Sequence, residues 1–302
     1  MLNTRRSITL GKHLTEIPSG HDVPMKNQLK AAPRHSALPF GLPPEVDHEG
    51  KRLRAIAAGI FVVAALATLT GSLEMQDGMR MPGDWNMPMM WMVMPGQSMF
   101  SAAWMFLLMW QAMMIAMMLP STWPMLELYH RTAVSTEERH PAAQTALVGA
   151  GYFAVWFAFG AVAFGLGLLV SRQTMDSAWL SALIPAFAGV GLLVAGIYQL
   201  SPLKQRCLQH CRSPLLFLGH IFRPGYRGAF RVGVIHGAFC AACCWALMLI
   251  QMVLGVMNLG IMIVVAGIIA AEKLWSRGPF FARIAGMASI AVGIVLLVRH
   301  MP

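Results

Sequence analysis

Residues His236–Asn258 read HGAFCAACCWALMLIQMVLGVMN, and the nature of the chain turns on them. As a helix the stretch is long and apolar enough to cross a hydrocarbon core of about 30 Å. It nevertheless holds three of the chain's five cysteines, one histidine and three methionines. Polar or reactive side chains at bilayer depth are costly, so they come with partners and a purpose.

The surrounding composition agrees with a membrane setting. The 302 residues are 57% hydrophobic and 12% charged, about half the charge of an ordinary soluble domain. Apolar segments at 52–73, 99–120, 144–170, 178–200, 229–254, 257–275 and 280–298 give an all-α, polytopic transmembrane helical bundle of about seven spans. The break at 255–258 is very short, so the fifth and sixth segments form a tight antiparallel hairpin; merging or tilting them leaves six spans. Residues 1–50, with prolines at 18, 24, 33, 39, 43 and 44 and scattered basic residues, read as a polar, largely disordered tail. Residues 51–302 form the helical domain.

In a soluble protein a net charge of +10 would suggest nucleic acid. Here the cations sit in the tail (Arg5, Arg6, Lys12, Lys26, Lys30, Arg34, Lys51, Arg52, Arg54), in the 201–228 loop (Lys204, Arg206, Arg212, Arg223, Arg227) and around the sixth connection (Lys273, Arg277, Arg283). The alternate loops hold Arg80 and Arg172, with no Lys or Arg between 255 and 258. That asymmetry orients membrane helices with basic loops inside. It makes the lipid bilayer, and not nucleic acid, the expected partner. The N-terminus is then cytoplasmic, and the 74–98 loop faces out.

On a helix, positions four apart share a face. His236, Cys240, Cys244, Met248 and Met252 form such a ladder, with Cys243 beside it. Thiolate, imidazole and thioether together suit Cu(I), Zn(II) or an iron–sulfur cluster, and the thioethers favour Cu(I) over Zn(II). The structural alternative is that the cysteines are small buried hydrophobes, among Gly237, Ala238, Ala241 and Ala242 that let helices approach. A redox pair, Cys240-x-x-Cys243, is a third reading.

Methionine is concentrated as well: 15 of 25 lie between Met75 and Met118. The outer segment carries Met79, Met81, Met87, Met89, Met90, Met92 and Met94 among prolines, glycines, Trp85 and Trp91, which argues against one regular helix. It reads either as a thioether trap for Cu(I) or as an interfacial loop. Met105, Met109, Met113 and Met117 form a stripe on the second helix, which is a packing stripe unless it faces the cysteine ladder. On the basic side, Cys207-x-x-x-Cys211, with His210 and His220 near, can receive a metal ion leaving the membrane. Glu272-Lys273 reads as an interfacial anchor, with a role in proton or metal passage as the rarer alternative. No Ser/His/Asp set, phosphate loop or cleft carboxylate pair is present, so hydrolytic and phosphoryl chemistry are not expected.

Four stretches together resemble a known bacterial family. They are Tyr198 to Cys211, Gly233 through Cys240, Cys243, Cys244 and Trp245 to Met248, Gly255-Val256-Met257-Asn258, and Glu272-Lys273. Trp110 to Pro120 adds a fifth block. The family is that of the predicted metal-binding integral membrane proteins, catalogued as a domain of unknown function, and the likeness covers about residues 98–298. It implies a helical fold in the bacterial inner membrane and a bound metal. Copper capture, storage or delivery to a copper-dependent membrane enzyme is the first expectation. A non-catalytic subunit of a larger membrane complex is the second, and a thiol–disulfide redox protein the third. Zinc, or no metal, remains open.

Overall fold

Proline and serine punctuation sets most of the helix boundaries. The structure is a computed structural model that describes residues 44–74, 78–92 and 96–300. Residues 1–43, Met94 and the side chain of Met89 lie outside the described residues. Helix α1 (Pro44–Glu74) begins on a proline, whose fixed φ suits a first helical turn. It starts eight residues before the apolar segment does, because hydropathy marks only the apolar part of a helix. Helix α2 (Met99–Ser135) is capped by Ser98, whose side chain accepts from Ser101 N. It runs straight through Pro120 and Pro124, where the sequence suggests an end. A helix packed among neighbours tolerates the missing N–H groups there.

Helices α3 (Pro141–Asp176) and α4 (Ala178–Leu200) follow. Ser201 then caps α5 (Pro202–Arg212), and α6 (Pro214–Ile221) completes the basic loop. Helix α7 (Gly225–Gly255) contains the cysteine ladder. Gly255, with φ +125°, makes the turn that Asn258 closes by accepting from Ile261 N, and α8 (Leu259–Leu274) and α9 (Gly278–His300) end the chain.

Six of these helices (α1, α2, α3, α4, α7 and α9) are long and apolar enough to cross a membrane. Helix α8 has 16 residues, about 24 Å, short of the roughly 20 residues a full span needs. It still carries the chain from one end of the bundle to the other. Asn86, Asn258 and His300 line one cavity at one end. At the other end Arg212 donates to the carbonyls of Glu272 (2.7 Å) and Ser276 (3.0 Å). The expected seven passes are therefore six full-length helices and one short one. Among the described residues the basic segments share the Arg212 end, where Arg54 Nη2 also meets Glu127 of α2 at 2.5 Å and Glu127 binds Arg131 at 2.6 Å.

The Met-rich segment at the opposite end is a small hairpin. Strand β1 (Met79–Met81) pairs antiparallel with β2 (Trp85–Met87), Met79 opposite Met87, around a turn in which Gly83 and Asp84 have positive φ. Trp85 Nε1 donates to Ser181 O of α4 at 3.0 Å, and Ser171 of α3 donates to Trp91 O at 3.3 Å. The side chains of Met87 and Met90 are buried, and Met79 is exposed.

The closest backbone approach near the cysteines is between α3 and α7. A Cβ on Gly233 would collide with the Val148 carbonyl, and one on Gly151 with the Phe230 carbonyl. Small residues at these two positions bring Tyr152 of α3 against Cys240 of α7. We expect Gly233→Val to force the helices apart at a cost of about 1–3 kcal/mol or more. Gly149→Ala on α3, where nothing lies within 4 Å of an added Cβ, should be neutral. Melting temperature in detergent checks both. Equal stability of Gly233→Val and the parent would contradict the packing described.

Candidate metal centre

The helical ladder delivers three thiols to one point. The Sγ atoms of Cys240, Cys243 and Cys244 all lie within 4.8 Å of one another, and all three residues are buried. Cys240 Sγ and Cys244 Sγ are 3.9 Å apart. A fourth thiol comes from outside the helix. Helix α5 packs on α7 and sets Cys211 Sγ 3.8 Å from Cys243 Sγ. Sulfurs sharing one ion through bonds of about 2.3 Å sit roughly 3.8–4.0 Å apart, by the geometry of a tetrahedron or triangle. The Cys240–Cys244 and Cys211–Cys243 spacings fall in that range, and the three α7 sulfurs stay within 4.8 Å of one another. Cys207, one turn earlier on α5, packs against the same core. All five cysteines are free thiols.

Around the sulfurs stands a polar shell that the sequence does not announce. Tyr152 Oη lies 2.9 Å from Cys240 Sγ, and Lys273 Nζ donates to the same sulfur at 2.9 Å and to Ser121 Oγ of α2 at 3.4 Å. Lys273 is thus no interfacial anchor: it points inward and is 8% exposed. Its neighbour Glu272 is equally far from water, paired at 2.7 Å with Lys204 Nζ, which also donates to Gln199 Oε1. Neither side chain snorkels to an interface, because Lys204 of α5 and Gln199 of α4 close over the end of α8. One cation therefore neutralises Glu272 and the other is left to the sulfurs. A monovalent ion held by three thiolates carries net negative charge, and an ammonium at 2.9 Å offsets part of it.

The remaining expected ligands divide. His236 lies one turn from Cys240, yet among the described residues the potential ligand atoms within 4.8 Å of one another are three thiols without it. Its ring sits tilted against Tyr152 and Phe217 at centroid distances of 5.5 and 5.4 Å, and its buried Nδ1 has no hydrogen-bond partner. Met248 is buried directly above Cys244 in the same core. On α2 the methionine stripe breaks up. Met113 and Met117 are buried in the cysteine core, with Gln251 of α7 donating to Met113 Sδ at 3.3 Å. Met109 is only partly buried, at the edge of that core and against Gly71 of α1, and Met105 is 58% exposed with Gln97 on its sulfur. Steps of four residues advance 400°, so a strict i, i+4 row drifts about 40° per step and leaves the face within three steps. Met114 and Met118, which widen the stripe, are buried in the same core as Met113 and Met117.

At the hairpin end, Met87 and Met252 line a cavity of about 950 Å³ together with Trp85, Trp91, Met257 and His300. From there Met252, Met248 and Cys244 follow each other at four-residue steps along α7, an axial distance of about 12 Å. Cys240 and Cys243 themselves are fully buried, while Cys211 of α5 is only partly buried.

A family model described as PpoB2, copper chaperone, matches residues 107–296, from the third turn of α2 to the last turns of α9. No curated protein and no solved structure matches the chain. The matched region contains every cysteine and the whole polar shell, and its description replaces the unknown-function label that the sequence motifs suggest. The chain belongs to the PpoB2 family of copper chaperones.

Proposed function

We propose that this protein is a Cu(I) chaperone embedded in the bacterial inner membrane, with its basic end cytoplasmic and its methionine hairpin outside. Cys240, Cys243 and Cys244 hold the ion, and Cys211 is close enough to take it over from Cys243. Copper is cargo here, bound and handed on to a copper-dependent membrane enzyme. The observation that carries the reading is the set of three mutually close, buried thiols with a fourth 3.8 Å away on a different helix.

The chemistry fits a soft monovalent ion. Thiolate and thioether donors select Cu(I) over hard cations. Met87 and Met90 on the hairpin, with Met89 between them, supply thioethers whose binding involves no proton loss. Met252 and Met248 continue that donor type inward until the thiols begin. Tyr152 and Lys273 hold Cys240 by hydrogen bonds, which fixes the sulfur's position and offsets its charge. Along α7 each donor lies one helical turn from the next, Met252 to Met248 to Cys244 to Cys240.

Two measurements test the reading. Protein purified in detergent under reducing conditions should retain Cu(I), and a Cys240/Cys243/Cys244→Ser triple variant should lose it; equal retention by both would end the proposal. Tyr152→Phe should keep the fold and weaken Cu(I) binding by about tenfold, the usual effect of losing a hydrogen bond to a ligating atom. Competition against a chromophoric Cu(I) chelator reads that shift, and an unchanged affinity would remove Tyr152 from the site.

A further inference from the structure

A second cavity, of about 280 Å³, opens beside the thiols at the basic end. Its wall includes Cys211, Arg212, His236, Lys273 and Ser121. Two of these residues touch the cluster: Lys273 donates to Cys240 Sγ at 2.9 Å, and Cys211 Sγ is 3.8 Å from Cys243 Sγ. The lining holds two cationic side chains and no Asp or Glu. The carboxylate of Glu272, next to Lys273 in sequence, is paired with Lys204. His236 is only 5% exposed, and its Nδ1 is buried without a hydrogen-bond partner. An orphaned buried nitrogen on the wall of a cationic cavity is an unmet demand for a polar ligand.

We propose that this cavity is a port through which the thiol cluster exchanges Cu(I) with a small anionic thiol of the cysteinyl-peptide class. The inference rests on the cluster being the Cu(I) site. The cavity is below the usual 300–1,000 Å³ of ligand sites, so it suits a molecule of two or three residues and not a folded domain. Arg212 attracts carboxylates, and Cys211 stands at the boundary between the cavity and the cluster. In the exchange the incoming sulfur bonds to copper as the Cu–S bond to Cys211 or Cys243 breaks. The incoming thiol's proton passes to the departing cysteine sulfur, and copper remains Cu(I) throughout.

The test uses the full-length protein, loaded with Cu(I) in detergent, with glutathione and its diethyl ester as probes. The two share one thiol and differ in their carboxylates. Glutathione should strip the copper about tenfold faster than the ester, the scale of one charge-assisted hydrogen bond. Arg212→Gln should shrink that ratio toward one, and Arg212→Lys should restore most of it. Cys211→Ser should slow both probes. Equal rates for the two probes on the parent protein overturn the port, as does a ratio that Arg212→Gln leaves intact. Arg212 also bonds the backbone carbonyls of Glu272 and Ser276, so the glutathione-to-ester ratio on the parent protein decides the matter if that variant fails to load. A parent protein that holds no Cu(I) at all fails differently, by removing the cluster itself as the metal site.

Discussion

A charged side chain inside an apolar bundle has to be met by opposite charge or by well-placed dipoles, since an unpaired ion there costs several kcal/mol. Three such side chains converge where α4, α5, α7 and α8 meet. Lys204 and Glu272 satisfy each other at 2.7 Å, with Gln199 bonded to both. Lys273 is left with Cys240 Sγ and Ser121 Oγ. The pairing of Glu272 with Lys204 is what frees Lys273 for the sulfurs, and Arg212 pins the backbone of the same turn. The end of α8, the helix too short to be a full span, is thereby fixed against the middle of α7. Its shortness has a structural consequence: it stops level with the thiols and delivers its lysine there.

The helical class and most of the passes are legible in the sequence, because twenty-residue apolar segments and proline or serine starts have few other readings. Helix ends are less so. Pro120 and Pro124 look like terminators but sit inside α2, where packing neighbours replace what the missing N–H groups gave up. The cysteine cluster is legible too, since residues three and four apart on one helix must meet. Which side chain from another helix joins them is not a local property. Spacing singles out His236, which the structure turns aside between Tyr152 and Phe217. Cys211, Tyr152 and Lys273 reach the sulfurs from three other helices. Lys273 could have been noticed as a cation next to an acid that another buried cation already claims, but only with the fold in hand. The Met105–Met117 stripe shows the limit of a four-residue repeat: over twelve residues the row turns about a third of the way round the helix.

The two ends of the bundle present different chemistry to a soft ion. The hairpin end offers thioethers and aromatic rings around a wide cavity, donors that bind without charge. The basic end offers thiols, two cations and a smaller cavity. Between them, α7 carries the methionines that give way to cysteines, so donor strength rises along the helix toward the buried cluster. The tight α3–α7 contact at Gly151 and Gly233 holds α7 against Tyr152, and the family match covers this contact and all the cysteines but neither α1 nor the hairpin.

The central claim is that copper sits among the buried sulfurs of α7. X-ray absorption on the Cu(I)-loaded protein tests it most directly. A shell of about three sulfurs at roughly 2.3 Å, with no nitrogen neighbour, and its loss in the Cys240/Cys243/Cys244→Ser variant, is the predicted result. A shell dominated by nitrogen or oxygen, or a sulfur shell that survives the triple substitution, would contradict it.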